Sequence, residues 1–173
     1  WKTFLGSRHS EYTIKKGFHA STPFGFKPLI RSVQGNAYFD KAFASYELIP
    51  ANEQGDWNKL TGITFNPLVR NSNAIMIGWR YFEGKFQFCP YFNYDGGKII
   101  FPKPEEIITF KGDSGNLYFS VDYNKIRIKS DQQEVITMVP SQVKPNYLTS
   151  SRVQPWFGGN MAAPKDIKIM LWI

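Results

Sequence analysis

The stretch NLYFSVDYNKIRIKS at 116–130 constrains the fold more than any other part of the chain. Its apolar residues fall on every second position, the spacing of a half-buried strand and not of a helix. With Tyr123 and Asn124 in a two-residue turn, Val121 stands opposite Ile126 and Phe119 opposite Ile128. The other side sets Asp122 against Lys125, Ser120 against Arg127 and Tyr118 against Lys129. One face is apolar and the other polar, as a strand pair covering a core requires. A slip of one residue would bury Lys125, Arg127 and Lys129, at about 3–5 kcal/mol for each stranded charge. Asn124 is expected to take the positive φ that so tight a turn demands.

The pattern recurs along the chain. Segments of strand length at 11–16, 24–30, 36–48, 74–82, 85–94, 98–102, 105–112, 116–123, 125–130, 134–139 and 166–173 alternate with turn residues. Many short strands so spaced predict an all-β antiparallel sandwich or barrel. The one helical expectation is GDWNKLTG at 55–62, with Asp56 as N-cap and at most two turns. No repeat or linker divides the chain, so residues 1–173 read as a single domain, with 1–10 as a lead-in. That length buries a core without staples.

Aromatic residues make up 17% of the chain, and the formal charge is +7. Such a balance favours polyanionic partners: nucleic acid, an acidic polysaccharide or an anionic envelope. The basic residues are dispersed, however, and a solubilising surface explains them as well. They are not interleaved with aromatics as in an RNA-recognition module, which makes nucleic acid an unlikely partner. Cys89 is the only cysteine, so no intrachain disulfide forms, and it reads as a small hydrophobe in a strand. His9 and His19 lack the spacing of a transition-metal site, and no cofactor is implied. A calcium site of carboxylates and carbonyls needs no local motif and stays open. No apolar run approaches the ~18–20 residues of a transmembrane helix. No signal peptide is present, and the chain starts at Trp1, which fits a processed product, a trimmed chain or a fragment. Loss of an export signal would suit an extracytoplasmic or cell-surface protein.

The segment AIMIGWRYFEGKFQFCPYFNY at 74–94 carries the most specific chemistry. With Glu83-Gly84 as the turn, Tyr81 faces Phe86, Trp79 faces Phe88, Ile77 faces Pro90 and Ile75 faces Phe92. That side is core. The opposite side holds Arg80, Gln87, Tyr91 and Asn93 around Gly78, with Met76 and Cys89. An aromatic ring stacks on sugar C–H surfaces, and Arg, Gln and Asn give directional hydrogen bonds to hydroxyls or carboxylates. The expectation is a shallow groove: Arg80 as anchor, Tyr91 as stacking ring, Asn93 and Gln87 orienting hydroxyls, Trp57 at the edge. The bland alternative is a face covered by a loop, with Arg80 paired to a structural carboxylate and Trp57 packed into the sandwich edge. Gly158-Gly159-Asn160 reads as a tight turn, with a cation site beside Asp166 as the alternative.

No nucleophile motif or phosphate loop occurs. The pairs Glu53/Asp56 and Glu105/Glu106 are not set on inward strand positions as a glycosidase dyad would be. No catalytic residue is assigned, and the chain leans away from being an enzyme. A polysaccharide lyase stays as an alternative, because Arg80, Gln87 and Tyr91 could mimic its uronate-neutralising group and base.

Three segments, EQGDWNKLTG at 53–62, NSNAIMIGWRYFEGKFQFCPYFN at 71–93 and WFGGNMAAPKDIKI at 156–169, together resemble a family of small proteins of Bacteroidota, extending to their phages. The lead-in YTIKKGFHAS at 12–21 is similar as well. The resemblance implies a two-sheet jelly-roll, a concanavalin- or lectin-like β-sandwich, and no established activity. Family members often carry paired histidines where this chain has NPLVRN at 66–71, so a histidine site does not transfer. The leading expectation is a non-catalytic glycan-binding or surface-interaction module. A structural subunit of a virion or cell-surface complex, with protein partners, is the alternative.

Overall fold

The computed structural model describes residues 9–173 and places two antiparallel sheets face to face. Thirteen strands build them: β1 (His9–Ile14), β2 (Ser21–Thr22), β3 (Ser32–Asp40), β4 (Asn58–Thr64), β5 (Ala74–Phe82), β6 (Lys85–Tyr94), β7 (Lys98–Ile100), β8 (Ile108–Thr109), β9 (Ser114–Asp122), β10 (Lys125–Lys129), β11 (Glu134–Met138), β12 (Ser151–Val153) and β13 (Ile167–Trp172). The larger sheet runs β11-β10-β9-β3-β13-β1-β2, and the smaller runs β12-β4-β5-β6-β7 with β8 also on β6. This is the jelly-roll sandwich. One turn of helix, α1 (Lys41–Ala44), follows β3 and is capped by Asp40. No helix among the described residues is long and apolar enough to cross a membrane.

The registers follow from alternation. β9 and β10 pair Val121 with Ile126, Phe119 with Ile128, Ser120 with Arg127 and Tyr118 with Lys129. β5 and β6 pair Ile75 with Phe92, Ile77 with Pro90, Trp79 with Phe88 and Tyr81 with Phe86. The inward rows of both sheets meet in one buried cluster. At its centre Phe39 of β3 lies 4.9 Å edge-on to Phe88, 5.2 Å from Trp79 and 5.3 Å from Phe86. Each such aromatic pair adds about 0.5–1.5 kcal/mol beyond area burial.

Four expectations need correction. Residues 55–62 are not helical: a single 3-10 turn spans Ala51–Gly55 and the chain then enters β4. β4 is buried on both faces, so its sequence lacks the alternation that marks a one-sided strand. Residues 24–30 form no strand, because Pro28 and a positive φ at Leu29 interrupt pairing and leave one isolated bridge to Ser151. In 36–48 the strand stops at Asp40 and gives way to α1. Finally, Asn124 does not take a positive φ. The Asp122 carboxylate closes that turn instead, accepting from Asn124 N at 2.7 Å and Lys125 N at 2.9 Å.

Candidate functional site

The outer face of β4, β5 and β6, turned away from the core, gathers the residues expected of the groove. Arg80 stands opposite Gln87, Gly78 opposite Cys89, Met76 opposite Tyr91 and Ala74 opposite Asn93. Lys59 of β4 lies across from Gly78. Just before β4, Trp57 lies over Gly78. A Cβ on Gly78 would come within 2.9 Å of Cys89 Sγ and 3.4 Å of Trp57 Cε3, so glycine makes room for the indole. A small apolar cluster of Trp57, Met76, Cys89, Tyr91, Ala74 and Val153 forms beneath this lining.

Arg80 is the best-organised polar group on this face. Its Nε donates to Gln87 Oε1 at 2.8 Å and its Nη1 to the Gly55 carbonyl at 2.7 Å. The guanidinium carbon sits 4.1 Å from the Trp57 ring centre and 4.4 Å from that of Phe82. Gln87 is oriented in turn by a long 3.4 Å bond from its amide to Thr109 Oγ1. Burial pulls the Arg80 pKa down, yet arginine stays cationic. Nη2 has no hydrogen-bond partner among the described residues, and no carboxylate forms an ion pair with Arg80.

Lys59 is the second cation. Its Nζ donates to the Trp57 carbonyl at 2.9 Å and hovers 4.4 Å from the centre of the Tyr91 ring. Burial lowers its pKa to about 8, with the charge of Asp56 opposing that shift. Tyr91 is 4% exposed, and burial raises its pKa to about 12. The Cys89 thiol is also pushed up by burial and is inert as a nucleophile.

The loop after β12 seals one side. Trp156 exchanges both main-chain hydrogen bonds with Lys59, each at 2.9 Å. A Cβ on Gly158 would fall 2.3 Å from the Trp57 carbonyl oxygen and 3.1 Å from Lys59 Nζ, so only glycine lets this loop close. Its amide is held by Asn58 Oδ1 at 2.7 Å, and Asn58 donates to Tyr46 Oη at 2.9 Å. The Asp166 carboxylate accepts from Lys15 Nζ at 3.0 Å and from the Lys16 main-chain N–H at 2.9 Å. Among the described residues no group of three or more His, Cys, Asp and Glu side chains is placed to hold a metal ion.

The structure therefore brings Arg80, Gln87, Tyr91, Asn93 and Trp57 onto one face but changes their roles. Tyr91 cannot stack on a ligand as expected, because it is buried and Lys59 occupies its ring face. Trp57 is 8% exposed and carries Arg80 instead of offering an open platform. Among the described residues Arg80 pairs with no carboxylate. Asn93 is buried, with an Oδ1 that has no partner among the described residues. Sequence reasoning missed Lys59, hidden by the helical expectation. Reading DWNKL as a strand would have found it, with Asn58 and Leu60 on one side and Trp57 and Lys59 on the other.

Neither the family models nor the curated proteins compared with the chain gave a match. Solved structures did. The alginate lyase vAL-1 from Chlorella virus superposes with a TM-score of 0.58 at 11% identity, covering 99% of this chain and 85% of that one. A Bacillus licheniformis β-glucanase gives a TM-score of 0.39 at 13% identity, covering 98% and 77%. The first likeness shows the shared sandwich fold; the second is too weak to add to it.

Proposed function

We propose that the outer face of β4–β5–β6 binds an acidic glycan, with the Arg80 guanidinium receiving a carboxylate. One observation carries this reading: Arg80 is half-buried, fixed by two hydrogen bonds and two flanking rings, and among the described residues holds an unspent donor with no ion-pair partner. Desolvated, pre-oriented guanidinium groups are well suited to carboxylates. Lys59 adds a second positive charge at neutral pH. Tyr91 shapes the floor under Lys59. An extracytoplasmic or cell-surface setting suits such a module.

The fold likeness to an alginate lyase makes alginate-derived oligouronates the first ligands to test. Titration calorimetry of the wild type should show millimolar to micromolar binding, roughly the range of a shallow site. Arg80→Gln should weaken it about tenfold or more, and added salt should weaken it further. Equal binding of neutral and acidic oligomers, or an unaffected Arg80→Gln variant, would sink the reading.

A second reading is β-elimination. It is favoured by the Lys59 amine, which is partly deprotonated near pH 8 and sits 4.4 Å from the Tyr91 ring, on the face that holds Arg80. Ultraviolet absorbance from unsaturated uronate ends, lost in Lys59→Met, would reveal it. Flat absorbance with intact binding leaves the non-catalytic module.

A further inference from the structure

At the β12 edge of the same sheet lies a separate cavity of about 70 Å³, lined by Phe24, Phe26, Arg70, Arg152 and Gln154 among others. It has the features of a small anion receptor. Gln154 shapes one wall by accepting from Gly25 N at 3.1 Å and reaching the Pro23 carbonyl at 3.4 Å. Arg152 Nε is buried without a hydrogen-bond partner among the described residues. Arg70 rests 5.3 Å from the Trp156 ring, whose other neighbour is the stacked His19 ring at 5.7 Å. Neither arginine forms an ion pair among the described residues. Phe24 and Phe26 flank the cavity with 69% and 60% of their surface exposed.

This volume holds about two waters' worth of matter, which suits a carboxylate group and not a sugar ring. Two guanidinium groups that line one cavity without an ion-pair partner among the described residues gain strongly from a charged acceptor. Exposed phenylalanine rings beside it offer stacking surface for the sugar that bears the carboxylate. The cavity is continuous in sequence and sheet with the central site. Trp156 bonds to Lys59 at one end of β4, and Thr64 at the other end lines the cavity. Lys59 and Thr64 are five positions apart along β4, roughly 16 Å.

We infer that Arg70, Arg152, Phe24 and Phe26 form a second subsite, which takes another carboxylate of the same uronate chain whose first carboxylate meets Arg80. The inference rests on the acidic-glycan reading of the central face. It makes affinity depend on chain length: a hexamer reaches both arginine sites, and a dimer reaches one.

The test is calorimetry with alginate dimers and hexamers on the wild type, Arg70→Gln, Arg152→Gln and Phe26→Ala, with Arg80→Gln as reference. Thermal melts check each fold, and Phe26→Ala alters an exposed ring that the core does not need. The three edge variants should each weaken hexamer binding several-fold, to about tenfold for the arginines, and leave dimer binding unchanged. Edge variants that bind the hexamer like the wild type, while Arg80→Gln does not, would overturn the second subsite alone. A wild type that binds neither length would overturn the central reading and this one with it.

Discussion

The β9–β10 and β5–β6 hairpins obey the same rule and end in opposite circumstances. Both place every inward residue where alternation puts it. On the outer side, β9–β10 presents Tyr118, Ser120, Arg127 and Lys129 half-buried or exposed, whereas β5–β6 has Met76, Gly78, Cys89, Tyr91 and Asn93 buried. The difference is what lies on top. The 55–57 segment and Lys59 cover β5–β6, and Gly78 and Gly158 let them approach. Two-residue periodicity tells which face a side chain takes; it carries no information about a distant segment that folds over that face.

The largest break in this comparison comes from the shared, inward side. Phe88→Ala should cost about 3–5 kcal/mol in chemical denaturation, because it opens a cavity beside Phe39 and Phe110. A loss below ~1 kcal/mol would contradict the packing. Outward substitutions should then separate the hairpins. Gly78→Ala forces a methyl to within 2.9 Å of Cys89 Sγ and against Trp57, and should cost about 1–3 kcal/mol. Ser120→Ala, its outward counterpart on β9, should stay within about 0.5 kcal/mol. Equal effects would mean the β5–β6 face is not covered.

The covered face also has a pH signature. Lys59 titrates at about 8 in the fold against 10.5 ordinarily. Between those values the unfolded chain keeps a proton that the folded chain has lost, so stability rises as pH increases through that window. The gain is on the order of 1–3 kcal/mol. Tyr46 and Tyr91 act oppositely above pH 10: each is raised from 10.0 to about 12, so the unfolded chain deprotonates first and stability falls. Denaturation midpoints should peak near pH 10, and Lys59→Met should erase the rising limb. A flat profile in the wild type would show that Lys59 is hydrated.

The smallest effect lies in the turns. Glu83 takes φ +51°, which costs a non-glycine residue about 1–2 kcal/mol unless its side chain tolerates the left-handed region. Glu83→Asn should therefore raise stability by about 0.5–1 kcal/mol in thermal melts. A lower melting temperature would show that the glutamate carboxylate supports the turn.

Much of the fold was legible in the residues. Val121, Phe119, Ile126 and Ile128 announced their register because one side of their sheet faces water. β4 did not, since Asn58, Lys59 and Thr61 are polar yet enclosed. The partners of Asn58 and Thr61, Tyr46 and Val153, are brought to them only by the fold. Phe24 and Phe26 misled for the converse reason: their alternation is that of a strand, but the rings are exposed on a loop. Arg80 and Gln87 were readable because they sit directly across one hairpin. Lys59, Arg70 and Trp156 were not, because long-range pairing assembles them.

β13 lies between β3 and β1 in the larger sheet. Ile167, Ile169 and Leu171 thus supply interior side chains at the middle of that layer, although they close the sequence of the sandwich. On a ribosome, the earlier strands would emerge with a gap where the keystone belongs. β1 would wait unpaired on that side until residues 167–172 cleared the exit tunnel, a delay typical of sheets built from distant partners. Synthesis would therefore outrun closure, and the nascent chain would need protection from its neighbours for as long as that slot stood open.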